Sequence, residues 1–170
     1  EGQEALKNGA SALDVVNQCV RAMEDSGLHV AGRGSAPNAD GKWELDAAIM
    51  DGTTRYAGAV GALRGFKNPI DCARTVLKHS PHVLLVGKGA TKFLSNFELD
   101  RIYNPARYYQ PAIEDPIEPG VLQHGTVGAV ALDADGHLAS ATSTGGLLSK
   151  PPGRIGATPL IGAGTWADER

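Results

Sequence analysis

Gly125-Thr126 stands where a proline-rich stretch gives way to an alternating apolar run, Val127-Gly128-Ala129-Val130-Ala131-Leu132-Asp133, which puts the threonine at the tip of a predicted strand. A threonine hydroxyl is a weak nucleophile without a base beside it, and no Ser-His-Asp or Cys-His pairing is legible at a known local spacing. The residue's own amine is one economical base. If the Gly125–Thr126 bond is cut, the new α-amino group has an ordinary pKa of about 7.7–8.0 and is tethered next to its own hydroxyl. Gly125 suits such a cut, because glycine reaches the strained conformations that bring the hydroxyl onto the preceding carbonyl. The same residues equally suit a threonine that merely begins a strand, since β-branched side chains favour strands.

To place that threonine the chain needs a sheet and a layer to cover it. Val127 to Asp133, the turn Ala134-Asp135-Gly136, and His137 to Thr144 predict a hairpin. Trp43 to Met50 and Arg55 to Ala62 predict two more strands around Asp51-Gly52. Alanine and glycine are poor strand formers, and their accumulation there implies another layer packed tightly on the sheet. Leu13, Val16, Cys19, Val20 and Met23 recur at helical spacing, with Ser11 and Asp14 as a capping box and Gly27 as a stop. Asn68-Pro69 opens a second helix through Ile70, Ala73, Val76 and Leu77. His82 to Gly87 reads as a short buried strand, and Ala90 to Leu99 as a helix with Phe93, Leu94 and Phe97 on one side. Between Arg101 and His124, four prolines and no sustained period predict an exposed, flexible connector. Gly145 to Arg170 is rich in glycine and proline, and its last residues read as the start of a further element, so the chain is expected to be a portion of a longer protein.

The composition narrows the function class. Among the 170 residues, 42% are hydrophobic and 21% charged, with a formal charge of −3, which is the balance of an ordinary soluble domain with one good-sized core. The lysines and arginines are scattered, leaving no basic footprint for nucleic acid. No apolar run approaches the roughly 20 residues of a membrane helix, and a cytoplasmic location is expected. Cys19 and Cys72 each fall inside a predicted helix without a companion at ligand spacing, so they read as buried free thiols. His79 and His82, three apart, have no carboxylate beside them and read as a helix cap and a surface residue rather than metal ligands. Gly87-Lys88-Gly89 and Ala31-Gly32-Arg33-Gly34 lack the spacing of a phosphate-binding loop and read as packing glycines.

Three segments carry a family resemblance: Thr126-Val127-Gly128-Ala129-Val130-Ala131-Leu132-Asp133, Ala141-Thr142-Ser143-Thr144-Gly145-Gly146, and Lys150-Pro151-Pro152-Gly153-Arg154-Ile155-Gly156. They closely resemble the plant-type L-asparaginase and isoaspartyl peptidase family of N-terminal-nucleophile hydrolases. The likeness extends upstream through Leu45-Asp46-Ala47-Ala48-Ile49-Met50-Asp51-Gly52 and Ser80-Pro81-His82-Val83-Leu84-Leu85. The resemblance implies an α+β fold of the αββα four-layer sandwich type, incomplete here at both ends. It also implies a precursor that cuts itself between Gly125 and Thr126. Residues 1–125 would then be the α-subunit portion, with a linker at about 101–124, and 126–170 the start of the β-subunit, all within one structural domain. By position, Thr126 would be nucleophile and base, Thr144 would orient it, and Arg154, with Gly153, would hold the substrate's α-carboxylate, a role that suits a guanidinium fork. Arg154 also reads as a plain surface charge, a common place for arginine.

The resemblance implies no required cofactor, but a structural sodium ion on the backbone carbonyls of Met23, Glu24, Ser26, His29, Ala31 and Arg33. The implied substrate is a small molecule or dipeptide, L-asparagine or a β-aspartyl dipeptide, and the implied assembly an αβ heterodimer pairing into (αβ)2. Two positions depart from the family pattern. Ala157 stands where an aspartate usually takes the substrate's ammonium, and Val30 stands where an asparagine often precedes Ala31-Gly32-Arg33-Gly34. An ammonium buried without its carboxylate costs on the order of a few kcal/mol, so altered recognition of the substrate's amino side is expected. A taspase-like endopeptidase, which acts on an acylated aspartyl residue, is the alternative enzyme; a non-catalytic homologue fragment is the alternative of another class. The family's His-Gly-Gly segment is expected upstream of Glu1 and its Thr-Gly-Thr-Gly segment beyond Arg170, so this chain alone is expected to be incomplete as an enzyme.

Overall fold

Ser11 starts the first long element as its sequence predicts. Its Oγ accepts from the Asp14 backbone N–H at 3.1 Å and donates to the Asp14 carboxylate at 2.7 Å, and Gly27 ends the helix in the left-handed region at φ 72°. The computed structural model describes residues 2–110 and 125–170. In chain order the elements are α1 (Gly2–Lys7), α2 (Ala12–Ser26), a 3₁₀ turn (Gly32–Gly34), β1 (Leu45–Asp51), β2 (Ala57–Leu63), α3 (Pro69–His79), β3 (Leu84–Val86), α4 (Gly87–Leu94), α5 (Pro105–Tyr108), β4 (Val127–Leu132) and β5 (Leu138–Thr144).

The strands form one mixed sheet in the order β3-β2-β1-β5-β4. Only β2 and β3 run parallel; the other neighbours are antiparallel. Helices α2, α3 and α4 cover one face. Their buried Val15, Val16, Val20, Ile70, Ala73, Val76 and Ala90 pack on Ala47, Ile49, Val60, Val127, Ala131, Ala139 and Ala141. Each fully buried valine or isoleucine there contributes about 1.5–3 kcal/mol of transfer free energy. The alanines and glycines of β1 and β2 answer the close approach expected of them, for a Cβ on Gly58 would run into the backbone of α3 at Ala73 and Leu77.

The opposite face is covered in part by 145–170, which has no helix or strand beyond an isolated Ile161–Thr165 bridge. Ile155 lies over Gly61, and the Ala167 N–H reaches the Met50 sulfur at 3.4 Å. Val130 remains 82% exposed on this side. The described residues thus supply one sheet and one helical layer of an α+β fold.

Three expectations need correction. The fourth helix ends at Leu94 rather than Leu99, because the Asn96 side-chain amide donates to the Phe93 carbonyl at 2.9 Å and turns the chain, leaving Phe97 to stack on His79 and Phe93. The strand expected at 82–87 shrinks to Leu84–Val86 and is half-exposed, since it is an edge strand paired only with β2. Residues 101–110 of the expected connector are mostly exposed, but they are tied to the sheet and loops at both ends. Arg101 bridges to Phe66 with its guanidinium 4.3 Å from the ring centre, and Tyr109, 5% exposed, stacks on Trp43 at 4.8 Å. The remainder of the connector, 111–124, lies outside the described residues. Cys72 is buried as expected while Cys19 is half-buried, and both are free. Among the described residues no helix is long and apolar enough to cross a membrane, and no cluster of His, Cys, Asp and Glu is arranged to hold a metal ion.

Candidate active site

Thr126 immediately precedes β4 and is exposed. The β4–β5 ladder pairs Val127 with Ser143, so the same register carried one residue outward sets Thr126 opposite Thr144. Thr144 is 4% exposed, and its Oγ1 accepts from the Gly146 N–H at 3.0 Å. Close to Thr126 stands Thr158, whose Oγ1 is 3.4 Å from Thr126 Oγ1. Thr158 is itself held by β5 and the chain after it: its carbonyl accepts from Thr142 Oγ1 and from Thr165 Oγ1, each at 3.1 Å. Five threonines therefore lie at this end of the hairpin, and Thr126, Thr142, Thr158 and Thr165 are linked by hydrogen bonds through Thr158.

Gly125 packs directly against Val30, where an added Cβ would overlap the valine side chain. Val30 is fixed in turn, its carbonyl accepting from the Gly145 N–H at 2.7 Å. The departure from the family pattern at residue 30 therefore lies against the residue before the expected cut.

Arg154 sits in the irregular segment beyond β5 and is half-buried. Its guanidinium has no hydrogen-bond or ion-pair partner among the described residues, whereas its backbone N–H donates to the Pro151 carbonyl at 3.0 Å. The segment is tied to the Thr126 end of the hairpin through Thr158, four residues on. Around it lies a buried charged group that the sequence reading did not single out. Glu44 Oε2 accepts from the Gly153 N–H at 2.8 Å and from Asn38 Nδ2 at 3.0 Å. Asp46 accepts from the Ala62 N–H at 2.8 Å and the Gly156 N–H at 3.2 Å. Lys150 Nζ, 2% exposed, donates to the Glu44 carbonyl at 2.6 Å. Burial pushes the Asp46 carboxyl up, against the pull of Lys150, and burial pushes the Lys150 ammonium down, against Asp46 and Glu44. Two acids two residues apart at the start of an otherwise apolar strand are the sequence signal for this group.

The expected carbonyl loop follows α2. The Gly32 Cα faces the Glu24 carbonyl and the Gly34 Cα faces the His29 and Gly27 carbonyls so closely that a Cβ on either would collide. The Met23 carbonyl accepts from Ser26 Oγ, the Ala31 carbonyl from the Gly34 N–H and the Arg33 carbonyl from the Gln110 N–H. The Glu24 side chain turns inward and is wholly buried, with Oε1 accepting from the Ile70 N–H at the start of α3. Burial raises its carboxyl to about 8.

The family described as asparaginase matches this chain over residues 1–115 and 104–170. The chain belongs to the asparaginase family. It is 44% identical to the isoaspartyl peptidase of Escherichia coli (strain K12) over 183 residues, covering 98% of this chain and 57% of that relative. It is 44% identical to the isoaspartyl peptidase/L-asparaginase of Rattus norvegicus, covering 99% and 54%. To the plant-type L-asparaginase of Pyrococcus abyssi it is 42% identical, covering 99% and 61%. This asparaginase-family chain thus spans somewhat more than half the length of these relatives.

Proposed function

We propose that the protein is an amidohydrolase which severs its own Gly125–Thr126 bond and then uses Thr126 to hydrolyse β-aspartyl dipeptides, L-asparagine or both. The observation that carries this reading is the exposed Thr126 hydroxyl at the tip of β4, preceded by glycine and opposite Thr144. In the first reaction Thr126 Oγ1 attacks the Gly125 carbonyl carbon, the peptide nitrogen leaves as the Thr126 amine, and water hydrolyses the resulting ester to a Gly125 carboxylate. In the second, the free amine takes the hydroxyl proton as Oγ1 attacks the substrate's side-chain carbonyl. The proton then goes to the departing amine, and water resolves the acyl-enzyme. Thr144 and Thr158 orient the hydroxyl, and the Arg154 guanidinium, which has no partner among the described residues, receives the substrate's α-carboxylate.

The whole protein adds a second sheet to complete an αββα sandwich and pairs as (αβ)2. A structural sodium ion in the loop after α2, which would brace the turn beneath Val30, rests on the family pattern; the Met23, Ala31 and Arg33 carbonyls each already accept one hydrogen bond. Exposed, uncharged Ala157 favours a second reading, a taspase-like endopeptidase whose aspartyl substrate has no free ammonium to pair.

A denaturing gel of the full-length protein tests the first step. Two fragments summing to the precursor, a new N-terminus at Thr126 by mass spectrometry, and a single band for Thr126→Ala are expected. A new N-terminus at any other residue would sink the assignment. Turnover of β-aspartyl dipeptides against N-acylated aspartyl peptides separates the two enzyme readings.

A further inference from the structure

Arg154 sits on a segment that has no helix or strand to hold it, yet a residue that receives a carboxylate must be placed to within a fraction of an ångström. Three contacts supply that placement. The Gly153 N–H, just before Arg154, donates to Glu44 Oε2 at 2.8 Å. The Ile155 side chain, just after it, seats on Gly61, where an added Cβ would come within 2.7 Å of Ile155 Cδ1. The Gly156 N–H donates to Asp46 Oδ2 at 3.2 Å.

All three seats belong to one irregularity of the sheet. The β1–β2 register shifts between Leu45 and Ala47. Opposite that shift, Ala62 is in the left-handed region at φ 46°, a costly conformation for a residue with a Cβ. Asp46 Oδ1 accepts the Ala62 N–H there at 2.8 Å, while its main chain pairs with Thr144 in the β1–β5 ladder. One aspartate therefore touches the bulge, the arginine segment and the strand that carries the orienting threonine.

We infer that Glu44 and Asp46 are positioning residues for Arg154, fixing the backbone on both sides of it so that the guanidinium meets the substrate's carboxylate at a set distance from Thr126. Lys150, buried beside them, donates to the Glu44 carbonyl at 2.6 Å, and its charge acts on both carboxylates. The inference rests on the proposed carboxylate-binding role of Arg154. It adds that the affinity of the site is set by two acids that never touch substrate.

The test uses the full-length protein and the variants Glu44→Ala, Glu44→Gln and Asp46→Asn. Amide hydrogen exchange at Gly153 and Gly156 reads the clamp itself, KM and kcat on a β-aspartyl dipeptide read its consequence, and the extent of self-cleavage and the thermal midpoint report folding. Glu44→Ala is expected to speed exchange at Gly153 and raise KM on the order of tenfold, the loss of a charge-assisted hydrogen bond. The same variant should change kcat by less than about threefold and leave self-cleavage complete, because the intramolecular step binds no α-carboxylate. Glu44→Gln keeps an oxygen acceptor for Gly153 and should restore KM. Asp46→Asn should act chiefly at Gly156. Unchanged exchange in Glu44→Ala and Asp46→Asn overturns the clamp. Faster exchange with unchanged KM overturns the positioning role, as does a rise in KM accompanied by falls in kcat, self-cleavage and thermal midpoint that glutamine fails to rescue. A wild-type protein that exchanges as expected but turns over no β-aspartyl dipeptide refutes the functional reading instead, and the exchange result still decides the clamp.

Discussion

Gly125 and Val30 are packed so closely that the only side chain residue 125 can carry beside this valine is a hydrogen atom. The contact joins the residue before the expected cut to a loop that the Gly145 N–H pins to the end of β5 at 2.7 Å. Val30 thus forms a wall beside Gly125, whose bond to Thr126 is the one proposed to be cut.

Gly125→Ala is therefore expected to slow self-cleavage by at least tenfold, read as the half-time of precursor loss on a denaturing gel. Trimming the wall restores room, so Val30→Gly combined with Gly125→Ala should recover most of the rate. Equal rates for the single variant and the wild type would show that Val30 does not hold the scissile bond.

Thr158 lies within hydrogen-bonding reach of the Thr126 hydroxyl. Thr158→Val keeps the shape and removes the partner. It should lower kcat roughly three- to tenfold, the worth of one hydrogen bond of about 0.5–1.5 kcal/mol, with the thermal midpoint nearly unchanged. Steady-state kinetics on whichever substrate the wild type prefers checks this.

Ala157 leaves no carboxylate to meet a substrate's ammonium. Ala157→Asp should raise kcat/KM for free L-asparagine by roughly tenfold or more, since hydrogen bonds to charged groups contribute about 1.5–3 kcal/mol. Activity on N-acylated aspartyl peptides should not rise with it. A parallel rise on both substrates would place the new charge elsewhere than at the amino side.

Glu24 gives stability a pH dependence of unusual sign for an acid. Its folded-state carboxyl is raised by burial from 4.5 to about 8. Between those values the unfolded chain ionises while the folded one stays protonated, so this group's contribution is fully present below about 4.5 and is lost as pH rises towards 8. Glu24→Gln should flatten that fall, which in the wild type is at most about 1.4 kcal/mol per pH unit from this group. Urea denaturation from pH 5 to pH 8 measures it. The neutral amide keeps an acceptor for the Ile70 N–H, so a protein that merely unfolds would contradict the reading of a neutral Glu24.

What the sequence made legible was what short-range chemistry dictates. The Ser11–Asp14 cap, the Gly27 stop, the Asp51-Gly52 turn and the 127–144 hairpin each carry their signal within a few residues, and each forms where expected. Thr144 comes from the family resemblance rather than from local chemistry, and the hairpin register then sets it opposite Thr126. Tyr109 was read as flexible connector because its stacking partner, Trp43, is 66 positions away in sequence, and local composition cannot register such a contact. Glu44, Asp46 and Lys150 gave an ordinary charge pattern and become a buried group only when the 150–156 segment folds back on β1. The end of α4 at Leu94 is set by the Ser95 and Asn96 side chains, which donate to the Thr91 and Phe93 carbonyls, a small signal against the apolar spacing of Phe93, Leu94 and Phe97.

The strand order has a further consequence for a chain cut before Thr126. In β3-β2-β1-β5-β4, the boundary between the two products is the β1–β5 ladder in the interior of the sheet, running from Asp46 opposite Thr144 to Asp51 opposite Ala139. The helix that covers β4 and β5 is α2, which belongs to the first product. Cleavage therefore changes the molecularity of folding. Before the cut, the core closes within a single chain at a rate independent of concentration; afterwards, the same core is an association of two chains, and its re-formation from denaturant is second order.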